Sequence, residues 1–282
     1  MALAALLVGC AGGAAPDPEV LPVPVREADG TIRHIPARLC RPPGTGPARL
    51  VVVNHGSPGE GRAARSRYRL LPCGSAVARH FLARGQAVLA PLRRGYGEDA
   101  GAWAEDFGSC GAPDYARAGR ETARDIRAAL EAVRGLPGLA PDGIAVVGQS
   151  AGGWGVLALA ADPPPGVSAL VAVAPGRGGH MRGEANRNCN PGRLAEDAGR
   201  LALRPQTDAR PALPVLWLHT PNDSYFAPAL VRAMHAAHAG AGGRASLVEL
   251  PAFGEDGHDL FYAPAGAASW GAPVDGWIDA HP

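Results

Sequence analysis

The hydrophobic pattern changes period along the chain. Val20 to Arg26 and Thr31 to Leu39, on either side of the turn pair Asp29-Gly30, predict an antiparallel hairpin. Leu50 to Asn54 is a continuous apolar run that suits a strand buried on both faces, and Ile144 to Val147 is a short buried run. Gln86 to Leu92, Val167 to Ala174, Val215 to His219 and Ala245 to Leu250 read as further strands. Between them lie stretches with helical spacing: Ser75 to Arg84, closed by Gly85, then Thr122 to Arg134, Trp154 to Ala161 and Pro228 to Ala239. Ser269 to Ala280 predicts a final helix. In Thr122 to Arg134 the apolar stripe is Ile126, Ala129, Leu130 and Val133. Strands alternating with helices predict an α/β fold, with a mostly parallel central sheet and helices on both faces. Residues 93–118 read as a long loop, and residues 176–211, rich in Gly, Arg, Asn and Pro, as a small inserted cap.

One junction carries chemistry. The run Ile144 to Val147 stops at Gly148-Gln149-Ser150-Ala151-Gly152, and an Ala/Leu-rich stretch follows. With 39 glycines and nine serines in 282 residues, a chance G-x-S-x-G is expected roughly 0.2 times, so the strand before it and the helix after it carry the reading. A serine at the apex of such a turn is lifted above the sheet at a helix N-terminus, where negative charge is favoured.

A serine hydroxyl needs a base, usually histidine, whose tautomer and charge are set by a carboxylate. In parallel α/β sheets, sites form at the carboxyl ends of strands. Asp223, in Thr220-Pro221-Asn222-Asp223, follows one strand, and His258, flanked by Gly257 and Asp259, follows the last. Ser150, Asp223 and His258 are therefore the candidate nucleophile, carboxylate and base. The developing oxyanion needs two N–H donors. Ala151, next to the nucleophile, and Ser57, in the loop His55-Gly56-Ser57-Pro58-Gly59, are the candidates, because Pro58 has no N–H. Arg93, Arg94 and Arg177 follow strands at the same edge, where they either hold a substrate carboxylate or brace loops. His219 reads as a strand residue, and His235 and His238 share a helix face without a third ligand, so no metal is expected.

Asn54-His55-Gly56-Ser57-Pro58-Gly59, Arg93-Arg94-Gly95-Tyr96-Gly97, Gly148-Gln149-Ser150-Ala151-Gly152-Gly153, Asn222-Asp223 and Gly257-His258 occur in that order. In this the chain resembles α/β-hydrolases of the dienelactone hydrolase and prolyl-oligopeptidase-like group, over roughly residues 45–282. The resemblance implies an α/β-hydrolase fold, a Ser-His-Asp triad and no cofactor. Ser150 stands where dienelactone hydrolases proper carry cysteine, which points away from dienelactone as substrate.

Composition narrows the partners. A net charge of +1 argues against nucleic acid or an anionic membrane as the main partner. The first ten residues form an apolar leader, and Leu7-Val8-Gly9-Cys10 resembles the lipobox of bacterial lipoproteins. The domain reading is thus a leader at 1–10, a tether at 11–19 and a catalytic domain at 20–282. It implies an exported bacterial protein, periplasmic or held at the membrane through a lipid on Cys10. Cys40, Cys73, Cys110 and Cys189 then suggest two disulfides, for which three pairings exist; Cys110 with Cys189 and Cys40 with Cys73 is the expected one. Three functions remain open: an esterase acting on small or medium esters, a serine peptidase acting on short peptides, and a catalytically inactive surface-binding lipoprotein.

Overall fold

The computed structural model describes residues 18–58, 61–98, 101–204 and 210–282. The leader, Cys10, nearly all of the tether and Gly59 lie outside the described residues. Eight strands form one sheet: β1 (Glu19–Arg26), β2 (Ile32–Cys40), β3 (Leu50–Asn54), β4 (Ala87–Pro91), β5 (Ile144–Gln149), β6 (Val167–Val173), β7 (Val215–His219) and β8 (Ala245–Glu249). Their spatial order is β1-β2-β4-β3-β5-β6-β7-β8. The β1–β2 and β2–β4 pairs are antiparallel and every later pair is parallel.

The continuous apolar runs are explained by cover on both faces. Leu50, Val52, Val146 and Leu170 point into one core, against α3 (Tyr115–Val133), α4 (Ala151–Ala160), α5 (Pro191–Ala202) and α6 (Pro228–Gly240). Val51, Val53, Val147 and Val171 point the other way, against α2 (Ala76–Ala83) and α7 (Ala267–Ala280). This is the two-residue alternation of a pleated strand with a hydrophobic layer on each side. A short helix, α1 (Gly61–Ser66), precedes α2.

Two elements differ from the sequence reading. Helix α3 begins at Tyr115, seven residues before the expected start, capped by the Asp114 carboxylate accepting from the Arg117 N–H at 2.8 Å. Gly119 hid this first turn. Its bare Cα faces Trp154, and a Cβ there would lie 2.9 Å from the indole, so the glycine permits α3 and α4 to pack closely. Within 176–211, α5 is a flanking-layer helix, burying Leu194, Ala198 and Leu201. The part of that segment that borders the site is 176–182 with Cys189.

Disulfides Cys40–Cys73 and Cys110–Cys189 are both present, in the expected pairing. Such bonds persist in oxidising compartments. Among the described residues no helix is long and apolar enough to cross a membrane.

The sheet register sets the site. Asn54 pairs with Gly148, Gln149 with Val173, and Val173 with the neighbouring strand at Leu218. The loops after β3, β5, β6, β7 and β8 therefore leave from one edge.

Candidate active site

Ser150 sits between β5 and α4 with φ 54° and ψ −118°. A non-glycine residue there is strained by about 1–3 kcal/mol, which the surroundings must overcome. They do so with backbone bonds: the Ser150 N–H donates to Val173 O at 2.9 Å, and Ser150 O accepts from Trp154 at 2.9 Å and Gly176 at 3.3 Å. The flanking glycines are required by contact, not by dihedral. A Cβ on Gly148 would strike the Gly152 carbonyl, and one on Gly152 the carbonyls of Asn54 and His55. The turn is thus clamped between the α4 backbone and the loop after β3.

That loop presses on the serine. A Cβ on Gly56 would collide with the Gln149 side chain and lie 3.2 Å from Ser150 Cβ. Among the described residues, neither the Ser57 N–H nor the Ala151 N–H is taken by a protein acceptor. His55 is held as a neutral ring. Its Nε2 accepts from the Arg93 N–H at 3.3 Å, so Nδ1 carries the proton and donates to Gly56 O at 2.6 Å. Burial, then the Arg93 charge, push its pKa down to about 3.

Asp223 and His258 meet. His258 Nδ1 lies 3.1 and 3.0 Å from the two Asp223 carboxylate oxygens, and both side chains are buried. Asp223 also accepts from the Tyr225 N–H at 2.7 Å and the Phe226 N–H at 3.0 Å. Since a carboxylate only accepts, His258 Nδ1 is the proton-bearing nitrogen and Nε2 is left as the basic one. The His258 loop is pinned by Gln149 Nε2 donating to His258 O at 3.1 Å, and by Asn222, whose Oδ1 accepts from Phe253 N at 3.0 Å. Asp256 accepts from the backbone N–H of His258 and from Ser224, not from the imidazole. Burial raises its pKa, but those bonds outweigh it and leave Asp256 below the usual carboxylate range.

Among the described residues no hydrogen bond joins Ser150 Oγ to His258; Gln149, adjacent to Ser150 in the chain, connects the two loops. Catalytic hydrogen bonds are often long before substrate binds. His219 is buried with both ring nitrogens unpartnered, Nδ1 3.9 Å from Asp223 Oδ2, and burial lowers its pKa. His238 is buried on α6, and His235 Nε2 lies 3.1 Å from Ala245 O.

Arg93 and Arg94 are braces. Arg93 binds Glu105 and His55 O, and Arg94 binds Asp125 at 2.5 Å, Glu121 at 2.7 Å and Glu27 at 2.5 Å. Arg177 donates through Nη2 to Glu105 and to Thr122, each at 2.7 Å. Glu105, fully buried between two guanidinium groups, has no sequence signature in its loop.

Two cavities border the candidate groups. One, about 430 Å³, is bordered by His258, Gln149, Leu70, Leu71 and Tyr262. The other, about 300 Å³, is bordered by Ser150, Ala151, Phe107, Arg177 and Arg182. Ser57, Pro58 and Tyr225 border both; of the other candidate groups His258 borders the first, and Ser150 and Ala151 the second.

The family model described as alpha/beta hydrolase fold matches residues 49–221. The chain belongs to the α/β-hydrolase family. No curated protein matches it in sequence. Among solved structures, this α/β-hydrolase is similar to Porphyromonas gingivalis dipeptidyl peptidase 4, with 15% identity and a TM-score of 0.61 over 95% of this chain and 36% of that one. It is also similar to an esterase of Pyrococcus furiosus, with 15% identity and a TM-score of 0.55, covering 93% of each chain. A dienelactone hydrolase-like promiscuous phosphotriesterase from metagenomic libraries gives 21% identity and a TM-score of 0.53, over 95% of this chain and 100% of that one. At these identities the likeness establishes the fold. The chain spans about a third of the length of the dipeptidyl peptidase.

Proposed function

We propose that this α/β-hydrolase is a serine esterase working through an acyl-enzyme. The observation that carries the proposal is the buried Asp223–His258 pair, loop-linked through Gln149 to the strained Ser150 turn. In this reading His258 Nε2 takes the Ser150 proton as Oγ attacks an ester carbonyl. The N–H groups of Ser57 and Ala151 receive the oxyanion, each contributing about 3 kcal/mol. His258, now an imidazolium beside Asp223, protonates the leaving alcohol. Water then enters, gives its proton to His258, and releases the acid by the same steps. No cofactor is required.

Residues 176–182, the site-facing part of the expected cap, would form one side of the substrate pocket. The charge lining it favours esters over peptides with a free amino terminus. The cavity bordering Ser150 includes Arg177, His180 and Arg182, and no Asp or Glu among the described residues. An ammonium group entering there would find no carboxylate. The peptidase reading takes its support from the likeness to dipeptidyl peptidase 4. An inactive surface-binding lipoprotein is the remaining alternative; export is a proposal that the two disulfides favour, and lipidation of Cys10 is a proposal from the lipobox-like leader alone.

The deciding experiment compares p-nitrophenyl acetate with aminoacyl p-nitroanilides on the purified protein. Ester turnover without anilide turnover is expected. Preferential anilide cleavage would make it a peptidase, and no turnover of either, with no labelling by a serine-directed phosphonate, would favour the binding protein.

A further inference from the structure

We propose that Tyr225 is a positioning residue whose ring face supports the charged form of His258, with His180 covering the opposite face. The proposal rests on the reading of His258 as the general base.

Tyr225 lies between two imidazoles. Its ring centroid is 4.0 Å from that of His258 at 20° and 3.8 Å from that of His180 at 14°. At these distances and angles both imidazoles lie over the faces of the phenol ring, where its electron density is greatest. A cation over the electron-rich face of a phenol is attracted to it. The arrangement therefore suits His258 best when it carries the proton taken from the serine.

The backbone and its neighbours hold the ring there. The Tyr225 N–H donates to the same Asp223 carboxylate that binds His258. Tyr225 O accepts from Asn188 Nδ2 at 2.7 Å. A Cβ on Gly179 would lie 2.8 Å from Tyr225 Cβ, so the ring is seated against a bare Cα. His180 Nε2 faces Ser224 O at 2.9 Å and must donate to it, which fixes its ring over Tyr225. Ser224 in turn binds Asp256, which also holds the His258 backbone N–H. Burial, reinforced by Asp256, Asp259 and Asp223, raises the Tyr225 pKa and keeps the phenol neutral.

Other groups also face His258. Asp223 bonds its ring, Asp256 and Asp259 flank it on its own turn, and His219 stands behind Asp223. Tyr68, Tyr262, His55 and Arg69 share its cavity, while Arg177 and Arg182 border the cavity beyond Tyr225. A probe that changes only the face of the 225 ring leaves all of these in place.

The test replaces Tyr225 by phenylalanine and by phenylalanines of increasing fluorination, which drain the face while nearly keeping its shape. Hydrolysis of p-nitrophenyl acetate is followed by pH-stat, normalised to sites titrated by a phosphonate. Tyr225→Phe is expected to keep the acid limb of kcat/KM. Across the fluorinated series that limb should move progressively to lower pH, by about half a unit, with kcat falling about 2- to 5-fold. Tyr225→Leu should move it in the same direction and raise KM. An acid limb unmoved by fluorination, or moved as far by Tyr225→Phe as by the most fluorinated ring, overturns the proposal. Ser150→Ala, run alongside, separates the two ideas: if it stays active the catalytic reading itself fails, and if it is inactive while the series is flat, only the role of Tyr225 fails.

Discussion

Asp223→Asn is expected to lower kcat on esters by about 10⁴-fold with the fold intact. The carboxylate is buried, accepts the His258 Nδ1 proton through both oxygens, and is anchored by the N–H groups of Tyr225 and Phe226. An amide of the same shape removes the charge that stabilises the imidazolium. It also offers an NH₂ group to Nδ1, which stabilises the wrong tautomer and places the proton on Nε2, the nitrogen that must act as base. Asp256→Asn is the control. Asp256 lies two residues from His258 but binds its backbone, not its ring, so a far smaller loss of kcat is expected. Steady-state kinetics on p-nitrophenyl acetate with matched thermal melts would separate the two. Equal losses would mean that proximity in sequence, not the imidazole contact, sets activity.

Glu105→Gln is expected to destabilise the fold by about 3–5 kcal/mol, because it leaves buried guanidinium charge uncompensated. Glu105 takes bonds from Arg93 and Arg177, and the Tyr96 hydroxyl donates to it at 2.9 Å. For a chain of this size the melting temperature should fall by roughly 10 °C. Burial alone would raise the Glu105 pKa, but Arg177 and Arg93 hold it well below the ordinary carboxylate range. A depressed folded pKa contributes stability that is fully present above the unfolded value, near about 4.3, and is lost as pH falls towards the folded value. Melting curves of the wild type should therefore drop as pH is lowered below about 5, and those of Glu105→Gln should be flatter there. The same steep acid dependence in both proteins would assign the loss to other carboxylates.

The sequence discloses the frame of this molecule more readily than its braces. Strands β3, β5, β6 and β7 are short apolar runs because helices cover both faces, and that pattern survives in one dimension. The serine turn is legible because two glycines must let backbone approach backbone at 148 and 152. Asp223 and His258 stand out by following strands whose carboxyl ends share an edge. What sequence reasoning missed depends on contacts between distant segments. The start of α3 was concealed by Gly119, whose purpose lies in Trp154 across the helix interface. Helix α5 was obscured by a polar, arginine-rich composition, although its Leu194, Ala198 and Leu201 fall at helical spacing. Glu105 and Gln149 carry no local signal, since only the fold sets the first between two arginines and the second against the His258 carbonyl. The stack of His180, Tyr225 and His258 joins three loops and is likewise invisible along the chain.

The most direct measurement is the position of covalent labelling. Purified protein would be treated with a fluorophosphonate, digested and mapped by mass spectrometry, with Ser150→Ala in parallel. One adduct is expected, on Ser150, formed in step with loss of ester hydrolysis and absent from the variant, which should itself be inactive. An adduct on another residue, or hydrolysis undiminished in Ser150→Ala, would contradict it.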